Sequence, residues 1–420
     1  MRILLAWEIG SGFGHITKLA PIARALHAHT SIDACELTFA IKEPTAATLF
    51  ADDVDCRVLQ APFHPVKSHA NRGTPLVYSD DLRACGYADA DVLTGLLRAW
   101  RDLYDLLDPD VLIVDSAPTA LVAARGFDIS CVSLAGGYGA PPRTAPLSPI
   151  PYWTSVSEAQ RAKHEHETLR VLNQACERFN LPPYAHFFEV LEGAELAYVA
   201  SFEGIDHYPD RAAAERDTAQ RLGRSFSPQK YIGPLLVQDR GLQTTWDASA
   251  QHRILGYLPR HHPGLEPCLK ALSGFPSSTH VILAVPGIAP ALVRKYGRPH
   301  VRIFDQALRI RSLLADCDVG ISHGGIGITH SFALAGCPQL VFPFHVEQVM
   351  VARALGRLRI GRGMVGQHAA GDILKWMKEV LHNPQYHAHA QKFAEQHADF
   401  SLETPARRIA DDIVDRFDLF

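Results

Sequence analysis

No apolar run in this chain approaches the ~18 residues a membrane-crossing helix needs. The first run, Ile3–Trp7, is too short for a signal-peptide core and has no small-residue cleavage site behind it. Disulfide and zinc frameworks are missing as well. The eight cysteines are scattered without a CxxC spacing, which points to reduced thiols and a cytoplasmic setting. The 22 histidines include no HExxH and no Cys/His zinc pattern, so no metal site is expected. An excess of one sign of charge is missing too, with 41 Lys and Arg against 45 Asp and Glu. The formal net charge of −4 gives no reason to expect nucleic acid. No short-period repeat is visible.

What the chain does have is core. Hydrophobic residues make up 47% of the 420 positions and charged residues 20%. That composition excludes disorder and suggests two or three domains by length. Apolar segments that read as strands alternate with helical patterns. They are Ile3–Trp7, Leu37–Ile41, Val111–Val114, Ser130–Leu134 and Leu196–Val199, then Val281–Val285, Val301–Phe304, Val319–Ser322 and Gln339–Phe342. Such alternation predicts α/β structure with parallel sheets and right-handed crossovers. The polar stretch Asp210–Lys230 reads as the approach to a linker, with a second strand-rich half opening at "YIGPLLV". The reading is two Rossmann-like domains, residues 1–228 and 229–398. A tail helix, 399–420, carries Ile409, Ile413, Val414 and Phe417 at helical spacing and should pack back on the first domain. The Pro- and Gly-rich segment Gly136–Ser155 is a long loop. It reads equally as a functional wall or as a surface connection.

Two glycine turns stand out. In "LLAWEIGSGFGHITKLAPIARAL" a strand runs into Gly10, Gly12 and Gly14, then His15. Pro21 is tolerated only in a first helical turn, so the helix is expected to start near Thr17 or Lys18. His15 then lies just before it, off the stripe of Ile16, Leu19, Ala23 and Leu26. An imidazole there is suited to proton transfer at neutral pH, and Asp115, ending a strand, could orient it; helix capping is the alternative for each. In "VGISHGGIGITHSFALAGCPQLVFPFHVEQ" the strand Val319–Ser322 meets His323, Gly324, Gly325 and Gly327, and a helix is expected from Ile328 to Leu334. Glycines between a strand and a helix let backbone N–H groups approach an anion, and the helix dipole favours one there.

The second turn with "ALAGCPQLVFPFHVEQ" resembles the donor-binding signature of GT-B glycosyltransferases, in particular bacterial enzymes related to the UDP-glycosyltransferases of natural products and lipids. "GSGFGHITKLAPIARAL", "PDVLIVDSAPTALVAA", "YIGPL" and "SLLADCDVGISHGG" resemble further segments of that family, in order. The resemblance implies two domains facing a cleft, an inverting and metal-independent hexosyl transfer, and a nucleotide sugar as substrate rather than cofactor. His15 matches the general base and Asp115 its partner. Gly12 and Gly14 match the N-terminal Gly-His turn and are expected to contact the donor. His323 matches the diphosphate contact, and Gly324, Gly325 and Gly327 its backbone cradle. Thr329 lies at a phosphate-contacting position, and Glu347 and Gln348 match the pair that binds sugar hydroxyls. The acceptor would be a small molecule, lipid or glycan.

Two departures bear on the base. Ser331 stands where the family often has the glutamate that bridges ribose hydroxyls, and a hydroxyl cannot clamp a diol as a carboxylate can. UDP is therefore favoured only mildly over dTDP. The usual Trp-x-Pro-Gln loop is also missing from "FDQALRIRSLL". Lys18 replaces a proline common in the family, a change expected to alter the acceptor mouth without touching the base. A nucleotide-sugar 2-epimerase and a non-catalytic partner of another transferase remain alternatives. Asp316–Cys317–Asp318 mimics a metal-binding DxD but reads as a structural loop. Arg353, Arg357, Arg359 and Arg362 form a basic cluster that reads as a solvated helix face, with peripheral contact to an anionic membrane as the alternative.

Overall fold

The computed structural model describes residues 1–10, 12, 14–30, 35–51, 53–65, 73–236 and 241–417. The chain divides into two compact units, Met1–Val237 with Ser401–Phe420, and Gln238–Phe400.

The first unit is built on seven strands: β1 (Arg2–Trp7), β2 (Glu36–Ile41), β3 (Cys56–Gln60), β4 (Val111–Asp115), β5 (Ser130–Ala135), β6 (Leu196–Val199) and β7 (Lys230–Tyr231). Their order is β3-β2-β1-β4-β5-β6-β7, parallel throughout. Both faces of this sheet are buried. Leu4, Ala6, Leu112 and Val114 feed one core, and Ile3, Leu5, Trp7, Val111 and Ile113 feed the other. Strands covered on both sides need continuous apolar runs, which is why they were readable. The tail helix Thr404–Arg416 lies in this unit. Its Ala406, Ile409, Ala410 and Ile413 join the core that holds Ile16, Leu19 and Ile22 of the first helix.

The second unit carries six strands: β8 (His252–Tyr257), β9 (Thr279–Ala284), β10 (Val301–Phe304), β11 (Val319–Ser322), β12 (Gln339–Val341) and β13 (Gly361–Gly363). The order is β10-β9-β8-β11-β12-β13, again parallel. In each sheet the chain winds outward from its first strand, then returns to wind the other way. The two reversals fall between β1 and β4 and between β8 and β11. Open α/β sheets bind ligands at such switch points, beyond the carboxyl ends of the strands.

The strand expected at Tyr231–Leu235 to open the second domain is not there. Lys230 and Tyr231 pair instead with Tyr198 and Val199 as the last strand of the first sheet. Ile232 and Leu235 are buried in the first core, so the division falls after residue 237 rather than 228. The strand that opens the second sheet, β8, had not been read, because "HRILGY" flanks a short apolar pair with polar residues. The edge strands β3 and β13 were missed for a related reason: neither presents an unbroken apolar run.

Candidate functional site

The first glycine turn leaves β1 at the switch point. The helix that follows, α1 (Ile16–His27), begins one residue earlier than expected, with His15 as its N-cap residue. Pro21 therefore sits inside the helix and leaves the Thr17 carbonyl without its usual donor. Gly10 adopts φ +94°, and a Cβ on it would lie 2.3 Å from His15 Nε2. Only glycine lets the imidazole occupy that place. The ring itself stacks on Trp7 at 5.0 Å between centroids.

Asp115 ends β4, the strand beside β1, and is fully buried. Its Oδ2 accepts from His15 Nδ1 at 2.9 Å. A carboxylate partner fixes the neutral tautomer with the proton on Nδ1, which leaves Nε2 as the basic nitrogen. No hydrogen bond to Nε2 is present among the described residues. Ser116, next in the chain, holds φ +53°, and its carbonyl accepts from Ile9 N at 3.0 Å. Strained backbone is thus maintained where β1 and β4 bring His15 and Asp115 together.

One partner was misjudged from the sequence. Lys18 does not line a mouth; it is buried, and its Nζ donates to Asp115 Oδ1 at 2.6 Å. Burial alone would raise the Asp115 carboxyl, but the charges of Lys18 and His15 and their hydrogen bonds hold it below the ordinary aspartate value. His15 is shifted down. Burial dominates, the Asp115 charge and hydrogen bond oppose it, and Lys18 and Lys42 reinforce it.

Glu8 also escaped the sequence reading. It is buried at the end of β1, where its oxygens accept from Trp100 Nε1 at 2.8 Å and Thr119 N at 2.6 Å. Both bonds favour the carboxylate, yet burial outweighs them and pushes the acid up to about 7. The folded state therefore binds this proton more tightly than the unfolded chain. Stability from this group is full below the unfolded pKa of ~4.5 and is lost as pH rises to about 7. Glu8→Gln should lack that slope. In urea melts, the variant's stability relative to wild type should climb by ~3 kcal/mol between pH 4.5 and 8. A constant difference across that range would mean Glu8 is ionised throughout.

The second glycine turn follows β11, also at its sheet's switch point. The helix Ile326–Leu334 starts two residues before the expected point, capped by Gly325. Gly327 thus lies in its first turn rather than in the loop. The first intrahelical bond runs from Thr329 N to Gly325 O at 3.1 Å, so the N–H groups of Ile326, Gly327 and Ile328 precede the ladder and suit an anion. Gly324 has φ +91°, and a Cβ there would stand 3.3 Å from Gln348 Cβ. That close approach brings the helix Val346–Leu358, with Glu347 and Gln348 in its first turn, beside the glycine turn.

His323 lies between the rings of Tyr257, which ends β8, and Phe344, at 5.8 and 6.0 Å. Its Nδ1 is buried without a hydrogen-bond partner among the described residues. Burial, with His262, His345 and His261 nearby, pushes it down to about 4, so the ring is neutral at pH 7. His262 is locked neutral too, since Nε2 donates to Phe342 O at 2.7 Å while Nδ1 accepts from Gly264 N at 3.0 Å.

The remaining sequence-read residues are placed less openly. Thr329 is fully buried, and its Oγ1 likewise has no described partner. Ser331 Oγ donates to Gly327 O at 2.9 Å. Gln348 Oε1 accepts from Phe344 N at 2.9 Å and His345 N at 3.3 Å, which leaves its amide donors for a ligand. Gly12 has φ +77° and, like Gly14, has open space where a Cβ would project. Asp318 Oδ2 accepts from Arg253 N at 2.7 Å, a structural role. Arg362 lies over the Trp376 ring. The Gly136–Ser155 loop is pinned inside the first unit, where Leu147 N donates to the buried Glu165 at 2.7 Å. Among the described residues no helix is long and apolar enough to cross a membrane.

Residues 279–414 match the family described as erythromycin biosynthesis protein CIII-like, C-terminal domain. No curated protein matches the chain in sequence. Solved structures match over nearly its whole length. The glycotransferase of kitacinnamycin is 18% identical, with 99% of this chain and 98% of that one covered and a TM-score of 0.69. VinC in complex with dTDP is 14% identical, with both chains covered at 100% and a TM-score of 0.67. SnogD from Streptomyces nogalater is 18% identical, with 99% of each chain covered and a TM-score of 0.63. The chain has the GT-B fold. The resemblance to natural-product glycosyltransferases of that fold is thereby borne out.

Proposed function

We propose that this GT-B protein is an inverting glycosyltransferase that moves a sugar from a nucleoside diphosphate sugar to an acceptor hydroxyl. The observation that carries the reading is His15: an imidazole whose Nδ1 is held by a buried carboxylate, with Nε2 unbonded, at the carboxyl edge of a doubly wound sheet. Nε2 takes the acceptor proton as the hydroxyl oxygen attacks the anomeric carbon and the nucleoside diphosphate leaves. Asp115 stabilises the imidazolium that forms. The leaving diphosphate is received by the N–H groups that open the helix Ile326–Leu334 and by His323, whose unpartnered Nδ1 supports a neutral hydrogen bond to phosphate. Glu347 and Gln348 bind sugar hydroxyls.

The donor nucleotide is best read as dTDP. Ser331 offers no carboxylate to clamp a ribose diol, and its hydroxyl proton is committed to Gly327 O. SpnG, SsfS6 and VinC have each been solved with thymidine diphosphate. The reading is tested by incubating the protein with dTDP-glucose or UDP-glucose and a panel of hydroxylated acceptors. Acceptor-dependent release of the diphosphate, with a product of inverted anomeric configuration by NMR, is expected. A retained configuration, conversion of the donor to an epimer, or no release with any donor would refute it.

His323→Ala should weaken dTDP binding by ~1 kcal/mol, the worth of one neutral hydrogen bond. Calorimetry of dTDP against both proteins measures this. Equal affinity would remove His323 from the diphosphate site.

A further inference from the structure

We propose that Lys18 is a positioning residue for this reaction: its ammonium shares the Asp115 carboxylate with His15 and so sets the pH range over which His15 can accept a proton. The proposal rests on the reading of His15 as the base.

The geometry is a closed triad on a single carboxylate. Asp115 Oδ2 takes His15 Nδ1 at 2.9 Å and Oδ1 takes Lys18 Nζ at 2.6 Å. The Asp115 side chain has no exposed surface, and those of Lys18 and His15 are 9% and 18% exposed. The two partners of the carboxylate are three residues apart, so the first turn of α1 presents both to the end of β4.

Charge accounting gives the consequence. A His–Asp pair alone carries −1 with a neutral ring and becomes neutral on protonation, so protonation relieves a buried, uncompensated carboxylate. With Lys18 present the group is neutral before protonation and carries +1 after it. The imidazolium therefore gains less, and the ring stays a free base to lower pH. Lys42 acts on the ring in the same sense as Lys18. Lys42, just after β2, sends Nζ to the Gly10 carbonyl beside it and is a further cation acting on His15. Glu8 at the end of β1 is engaged by Trp100 and Thr119. A proline at position 18 would provide none of this.

The test measures the ring directly, without substrate. The full-length protein labelled with 15N-histidine is titrated by NMR as wild type, Lys18→Met and Lys18→Gln. The glutamine can still donate a hydrogen bond to Asp115, which guards against a methionine variant that fails to fold. In both, the His15 midpoint should rise by about one pH unit. The acid limb of dTDP release from dTDP-glucose should rise with it. A midpoint that stays where it is in the folded variants overturns the proposal. If the midpoint rises while the acid limb stays fixed, the coupling to Lys18 stands and the assignment of His15 as base fails.

Discussion

His15→Ala lowers turnover by ~10²–10⁴, the usual worth of a general base, and leaves dTDP affinity unchanged. The substitution removes Nε2 and nothing that belongs to the glycine turn of the second domain. The pH dependence is the more specific readout. Only the neutral ring accepts a proton, so the wild-type rate falls as pH drops through the His15 pKa. Burial first, and then the lysines, place that pKa below the ordinary histidine value, so activity should persist into mildly acidic buffer. The residual rate of His15→Ala should lack this limb. Full turnover with the limb intact would put the base elsewhere.

The second large effect concerns stability. Asp115→Ala removes the buried carboxylate and strands Lys18, whose side chain is 9% exposed. Breaking a buried ion pair from one side costs ~3–5 kcal/mol, because the remaining charge is left without its partner. The double variant Asp115→Ala/Lys18→Met should regain at least ~1 kcal/mol, since the stranded charge is gone. Urea denaturation of the wild type, both single variants and the double variant completes the cycle. Simple additivity would show that aspartate and lysine are not coupled as the 2.6 Å contact implies. Turnover should stay low in the double variant, because the orienter of His15 is absent from it.

Both sheets were legible where strands are buried on two faces. Ile3–Trp7 and Val111–Val114 are unbroken apolar runs, and Val319–Ile321 is a short one, because parallel strands under helices have no wet side. The edge strand Val301–Phe304 was still legible, but β3 and β13 were not, since an edge needs no unbroken apolar run, and the domain division was misplaced because Ile232 and Leu235 look the same whichever core they enter. The tail helix was readable from its own 3.6-residue period.

The candidate site divides along the same line. The sequence by itself determined the two glycine turns, the histidine at each, and the α/β alternation, all of which are local patterns within a few residues. Only the tertiary structure decided that both turns sit at switch points, since strand order depends on pairings across the whole unit. It also decided that Lys18 and Asp115, 97 residues apart, meet, and that Glu8 is buried against Trp100, 92 residues away. A lysine three residues after a histidine has no periodic signature. Its role is set by which strand end faces the first turn of α1, and that follows from the placing of β4 beside β1.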